Sequence, residues 1–414
     1  MIQKSNVIGT KQHLTFRGNA VQGRHGWLRL TPAYSLSVVE SILLRSNADS
    51  NDYVLDPFCG TGTTPLTASM NGIPAHAVDI NPFLTWFANT KFSIFTSREA
   101  QQLTKKGISI ASSIENASVK ETFWVPDLFQ IDKWWDENTL KILSYLYYTI
   151  QDVSSSPIKD LLKIAFCRTM IKFAHVSFGH QSMSFKNRGT SLFDSLNDNQ
   201  ERIAAEFLAS VQTIAEGMLV QNPLVEAKVF LGDSRTLTKS LPLKKYSLVI
   251  TSPPYPNRMS YIRELRPYMY WTGFLADGRA AGELDWQAIG GTWGCATSML
   301  NTWSPPEKIM PNLPDFYRTI EEIAEIQPIL SRYIHKYFCD MKMHIRELKK
   351  VLRKGAKCYY IVGNSKSYDT LVAVEQYFAH LFEEEGFVDV EIDVLRKRSS
   401  KKELFEYVVS AKRR

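Results

Sequence analysis

A chain of 414 residues, 44% hydrophobic and 22% charged, has the balance of a globular protein with a sizeable core, which excludes a disordered or fibrous one. Its net charge of +7 suits a polyanionic partner without demanding one. Cys59, Cys167, Cys295, Cys339 and Cys358 are scattered, with no C-x-x-C pair and no zinc-ligand spacing. Residues 1–10 lack a signal-peptide core, and no run reaches the roughly 18 apolar residues of a membrane span, so a soluble, cytoplasmic protein with no metal and no membrane is expected.

Residues 4–29 are polar and mildly basic. Pro32 opens a helix predicted over 33–44, where Leu36, Val39, Ile42 and Leu43 recur at helical spacing. Residues 53–55 read as a short buried strand ending at Asp56. A glycine loop follows, then a helix over about 64–70 that Asn71-Gly72 terminates. Residues 75–78 form a second strand ending at Asp79, and Pro82 marks the first turn of the next helix. This succession of strand, glycine loop, helix, strand and acid is one Rossmann-like βαβ unit.

From 97 to 222 the pattern changes to long helical periods. Strand character returns at 225–231, before Gly232-Asp233, and at 246–250. Residues 276–328 are rich in loops. A helix over 330–352, a strand over 357–362 closed by Gly363-Asn364, and a helix over 375–386 follow. Strands at 388–395 and 406–411 are joined by the basic turn 396–402.

Two segments carry chemistry. The first is Asp56-Pro57-Phe58-Cys59-Gly60-Thr61-Gly62-Thr63-Thr64. Gly60 and Gly62 permit turns that a Cβ hinders and let a ligand approach the backbone. No Gly-Lys-Ser/Thr pair is present, so this is no phosphate loop. Asp56 would repel a pyrophosphate but suits an ammonium, and Asp79 can accept from two ribose hydroxyls. An amino acid at one end and a ribose at the other describe S-adenosylmethionine.

The second segment is Thr251-Ser252-Pro253-Pro254-Tyr255, which follows the strand at 246–250. Two prolines hold the backbone extended and aimed. An exocyclic amino group on a base is a poor nucleophile, because its lone pair is delocalised into the ring. Accepting hydrogen bonds from its N–H groups, by the Ser252 hydroxyl and the Pro253 carbonyl, frees that lone pair for attack on a methyl group. A base must leave its duplex to reach such a site, and Tyr255 offers a stacking face.

These segments resemble the cofactor and catalytic motifs of the DNA amino-methyltransferases, which make N4-methylcytosine or N6-methyladenine. The resemblance covers about residues 25–95, 225–275 and 350–414. It implies an α/β fold of the Rossmann-like S-adenosylmethionine-dependent methyltransferase type. Its seven-stranded sheet is mostly parallel with one antiparallel strand, and carries helical and loop-rich insertions. It implies cofactor roles for Asp56, Phe58, Gly60, Gly62, Asp79 and Asp233, and less specifically for Thr31 and Pro32. A serine before the Pro-Pro pair accompanies cytosine N4 methylation in that family, whereas Asp or Asn accompanies adenine N6 methylation. Ser252 therefore favours cytosine N4. The motif order departs from that of many serine-bearing members, because here the cofactor motif comes first, about 190 residues ahead.

The expected organisation is core at 1–95, a helical insertion at 96–224, core at 225–275, a loop-rich insertion at 276–340 and core at 341–414. Either insertion is a candidate for reading double-stranded DNA, since a catalytic core alone selects no sequence. Candidate DNA contacts are Lys186 and Arg188 in the first insertion, and Arg258 and Arg263 after the catalytic motif. The basic turn 396–402 is either a phosphate contact or an exposed hairpin tip. A cognate restriction endonuclease is an expected partner. The alternatives are an adenine N6 enzyme, an RNA base methyltransferase and an inactive DNA-binding subunit.

Overall fold

The computed structural model describes residues 18–19, 22–30, 33–117, 119, 121–177, 184–185, 196–242, 245–257, 259–292, 295–307, 309–310, 312–398 and 403–414. Its main sheet holds β1 (Val54–Asp56), β2 (Ala75–Asp79), β3 (Ala227–Leu231), β4 (Tyr246–Thr251), β5 (Leu352–Gly363), β6 (Phe387–Lys397) and β7 (Phe405–Arg413). The spatial order is β6-β7-β5-β4-β1-β2-β3. Neighbours from β5 through β4, β1 and β2 to β3 pair in parallel. Strand β7 runs antiparallel to both β5 and β6.

The connections explain these directions. Parallel neighbours need long crossovers, and helices supply them; only residues 398–404 lie between β6 and β7, too few for a crossover, so the chain reverses. The reversed strand sits one place in from the edge, because β7 inserts between β5 and β6. Strands β1 and β4 are buried at every residue, as expected of central strands covered on both faces.

The principal helices are α1 (Leu36–Arg45), α2 (Thr63–Met70), α3 (Pro82–Phe92), α4 (Ser97–Asn116), α5 (Glu137–Gln151), α6 (Pro157–Lys172) and α7 (Leu196–Val220). They continue with α8 (Tyr261–Trp271), α9 (Gly278–Gln287), α10 (Pro314–Ile326), α11 (Pro328–Val351) and α12 (Val374–Glu384). Helices α11 and α12 cover one face of the sheet through Ile345, Leu348, Phe378 and Leu381, packed with Leu55, Val249 and Tyr360. On the other face α1 buries Val38, Val39 and Ile42 against Val54, Leu248 and Ile361. The expected boundary at 340 falls inside α11, one unbroken helix.

Helices α4 to α7 share a single apolar cluster with α3 and α8, in which Leu103, Ile142, Phe166 and Phe207 meet Phe83, Phe87 and Trp271. The helical insertion is therefore cemented to the core. Trp134 and Trp135 are fully buried in this cluster, whereas Trp124 is 53% exposed. Residues Asn199–Val220 are long and apolar enough to cross a membrane by composition. Ile203, Phe207, Val211, Ile214 and Met218 of that stretch are spent on the same cluster.

The parallel strands β1 to β5 all end at one edge of the sheet. Because β7 runs the other way, its first residues arrive at that edge too, beside the last residues of β6. Ligands of open α/β sheets bind outside such carboxyl ends.

Candidate active site

Strand β1 delivers Asp56 to the edge, and the structure encloses it. Its carboxylate is 0% exposed and accepts from Thr251 Oγ1 at 2.6 Å, from the Phe58 amide at 3.1 Å and from the Tyr34 hydroxyl at 3.4 Å. Burial pushes its pKa up to about 6 against these bonds. Thr251 is the last residue of β4 and immediately precedes Ser252. Asp56 thus buckles the glycine loop to the Ser252–Tyr255 segment.

The two loop glycines answer to different demands. Gly60 has φ +53°, and its amide donates to Asp79 Oδ2 at 2.7 Å. Gly62, with φ +79°, precedes the first turn of α2, where a Cβ would lie 3.0 Å from both Ala88 Cβ and Phe92 Cζ. Close packing of α3 on the loop, together with the left-handed backbone, requires glycine there.

Asp79 ends β2. Its carboxylate accepts from the Gly60 amide and, at 2.8 Å, from the Asn81 amide. Asn81 in turn caps α3, accepting from the Phe83 amide at 2.9 Å. Each oxygen of Asp79 therefore holds a backbone bond, and the Ile80 amide adds a third. Burial pushes its pKa up to about 7 although the backbone bonds from Asn81, Gly60 and Ile80 oppose this. Asp233, beyond β3, is bound along its carboxylate by Arg235, at 2.7 Å from Nη2 and 3.0 Å from Nε. Burial would raise its pKa, but the bonds and charge of Arg235 hold it below the usual carboxylate range. Arg235 is anchored by Asp340 at 2.8 Å.

The Ser252–Tyr255 segment is fixed by bonds from several elements. Ser252 Oγ donates to the Ile361 carbonyl of β5 at 3.2 Å. A carbonyl carries no hydrogen, so the hydroxyl is the donor there, and its oxygen, which also lies within hydrogen-bonding reach of the Tyr255 hydroxyl, can still accept. Tyr337 of α11 donates to the Pro254 carbonyl at 2.7 Å. The Tyr255 hydroxyl donates to Glu406 at 3.4 Å, and the Arg398 guanidinium lies over the ring, 5.1 Å from its centroid. Fully buried His344 fixes Phe58 by an edge contact at 4.7 Å. Burial lowers its pKa to about 4, so it stays neutral. One ring nitrogen meets the Ser234 carbonyl and the other the Tyr360 hydroxyl.

These strand ends open into one cavity of about 880 Å³, within the range of small-molecule sites. Phe58, Gly60, Asp79 and Asp233 line it together with Ser252, Pro253, Pro254 and Tyr255. Asp56 and Gly62 stand behind this wall, and Arg263 does not reach it. Thr31, Pro32, Lys186, Arg188 and Arg258 lie outside the described residues.

The cavity also recruits residues beyond the two motifs. Tyr261, Glu264 and Tyr268 line it from α8; they sit at i, i+3 and i+7, one helix face, whereas Arg263 falls between. Helical spacing from Tyr261 was the available signal. Lys172 and Val176 come from the helical insertion, and Gln287 and Ile289 from the loop-rich one, so both insertions supply wall. Arg396, Arg398 and Glu406 come from the C-terminal hairpin; the first two start the basic turn and face the cavity.

Known proteins are similar to this chain over much of its length. The chain is 22% identical to the type II methyltransferase M.BsoBI of Geobacillus stearothermophilus, over 93% of this chain and 82% of that protein. It is 21% identical to M.AvaI of a Nostoc species, over 91% and 82%, and 22% identical to M.MvaI of Kocuria varians, over 75% and 69%. The chain is thus similar to type II methyltransferases over most of its length. No family model matches it. The aligned regions cover 93% of this chain for M.BsoBI and 91% for M.AvaI, so the similarity is not confined to the two motifs.

Proposed function

We propose that the protein is a site-specific DNA methyltransferase that takes a methyl group from S-adenosylmethionine and places it on the exocyclic N4 of cytosine. The observation that carries this reading is the meeting of Asp79 and the Ser-Pro-Pro-Tyr segment in one cavity, in a chain similar over nine-tenths of its length to type II methyltransferases.

The residues present fit the cofactor. Asp79 brings a carboxylate to the cavity wall, an acceptor suited to ribose hydroxyls. Phe58, held by His344, offers an apolar face to a flat ring, and Asp233 offers an acceptor for its amino group. When bound, S-adenosylmethionine supplies an electrophilic methyl group. Ser252 Oγ and the Pro253 carbonyl accept the two amino hydrogens of the base, which draws the nitrogen toward tetrahedral geometry and localises its lone pair. Tyr255 stacks the base and holds it for in-line attack. Gln287, Ile289, Lys172 and Val176 bring both insertions to the cavity wall, and both insertions read the target duplex beside it. A cognate restriction endonuclease is the proposed biological partner.

Asp79 gives a pH signature. Hydroxyl donors favour its ionised form, so a proton competes with the ligand below the pKa of about 7. Affinity for S-adenosylhomocysteine is expected to rise about tenfold between about pH 6 and pH 8 and then level off. Calorimetry near pH 6.5, in buffers of different ionisation heat, should show proton release on binding. An affinity flat across that range would remove Asp79 from the ligand's contacts.

The base assignment is tested by digesting DNA treated with the protein and S-adenosylmethionine, then identifying nucleosides by mass spectrometry. N4-methylcytosine is expected. N6-methyladenine would overturn the base assignment while leaving the site and its chemistry in place.

A further inference from the structure

The C-terminal hairpin enters the cavity beside Tyr255, and its arrangement there is specific. Arg398 directly follows β6, and its guanidinium occupies a slot between the Tyr255 ring and the end of β5. Its Nη1 donates to the Asn364 carbonyl at 2.9 Å, and its amide donates to the Leu404 carbonyl at 2.8 Å. The slot exists because residue 363 is glycine: a Cβ there would lie 2.7 Å from Arg398 Nη1 and 3.0 Å from Tyr255 Cε2. Asn364 is 2% exposed and is itself tied to the hairpin, donating to the Glu403 carbonyl and accepting from the Phe405 amide, each at 2.9 Å. At the far end of the ring, Glu406 receives the Tyr255 hydroxyl and is paired with Arg396 at 2.6 Å.

Tyr255 is thus held by a planar cation on one face and a carboxylate at its hydroxyl. Both groups come from a hairpin about 140 residues further along the chain. A tyrosine in a large cavity would otherwise rotate about its side-chain bonds, and a base stacked on it would share that freedom. With Arg398 over one face, only the other is left for an aromatic ring.

We propose that Arg398 is a positioning residue for methyl transfer. Its guanidinium fixes the Tyr255 ring and closes one face of it, so that an extruded base stacks on the remaining face, in line with Ser252. The function depends on the flat shape of the guanidinium and its bond to Asn364, more than on its charge. This inference rests on the methyltransferase reading above.

The test compares wild type with Arg398→Met and Arg398→Lys on DNA from a host lacking DNA methylation. It measures kcat, KM for DNA and the Kd of S-adenosylhomocysteine. Both variants are expected to lose about 30- to 100-fold in kcat, the scale of a misplaced reactant. The Kd of S-adenosylhomocysteine should stay within about twofold of wild type, because Arg398 lies on the Tyr255 side of the cavity. Full rescue by lysine would overturn the proposal, since a point charge would then suffice. So would wild-type turnover by Arg398→Met, or an equal loss of S-adenosylhomocysteine affinity, which would mean general damage to the cavity. A wild-type protein that binds S-adenosylhomocysteine and methylates no DNA would instead sink the underlying reading.

Discussion

Replacing Asp79 by Asn is expected to weaken S-adenosylhomocysteine binding by about 100-fold or more, as read by calorimetry at pH 8. The carboxylate sits between two amide donors, Gly60 at 2.7 Å and Asn81 at 2.8 Å. An asparagine has only one acceptor atom, so its NH₂ must face one of those two N–H groups. The Gly60 loop or the cap of α3 would shift in response, and the ligand would lose an acceptor as well. Hydrogen bonds to a charged group contribute roughly 1.5–3 kcal/mol each, so losing one or two corresponds to about ten- to more than a thousandfold in Kd. Binding within about threefold of wild type would show that the ligand does not use Asp79.

The second large effect is expected at Ser252. Ser252→Ala removes an acceptor oxygen whose direction is set by its donation to Ile361 at 3.2 Å. That oxygen acts on the amino nitrogen as the reaction proceeds, so its loss should appear in kcat. A fall of about 10²- to 10³-fold is expected, the scale seen when one preorganised hydrogen-bonding group is removed from a reacting centre. The Kd of S-adenosylhomocysteine should stay within about twofold. If affinity fell and kcat held, Ser252 would belong to the cofactor wall instead.

Much of the fold was legible because each core strand ends on a recognisable signal. Asp56, Asp79, Gly232-Asp233 and the Pro-Pro pair each stop a strand at the same edge, and the structure brings their neighbours into one cavity. The antiparallel strand was legible from the closing hairpin, although its place inside the sheet edge was not. Strand order is set by pairing across the chain, which local patterning does not encode.

What the sequence concealed was mutual enclosure. Asp56 reads as an acid offered to a ligand, yet Thr251, 195 positions away, covers it. Gly62 reads as part of a ligand cradle, while its nearest demand is Phe92 and Ala88 of α3. Arg396 and Arg398 read as a charge run on a turn, and only the reversal of β7 carries them to Tyr255. Each of these depends on contacts between elements far apart in the chain, where spacing along one element has nothing to say.

The central claim is that this cavity transfers methyl groups to DNA. The most direct measurement incubates the protein with methyl-labelled S-adenosylmethionine and duplex DNA from a host lacking DNA methylation, then counts label retained by the DNA. The account predicts label in DNA with wild type, none above background with Asp79→Asn, and at least about a hundredfold slower incorporation with Ser252→Ala. Label appearing in RNA but not in DNA, or none in diverse DNA despite intact S-adenosylhomocysteine binding, would contradict it.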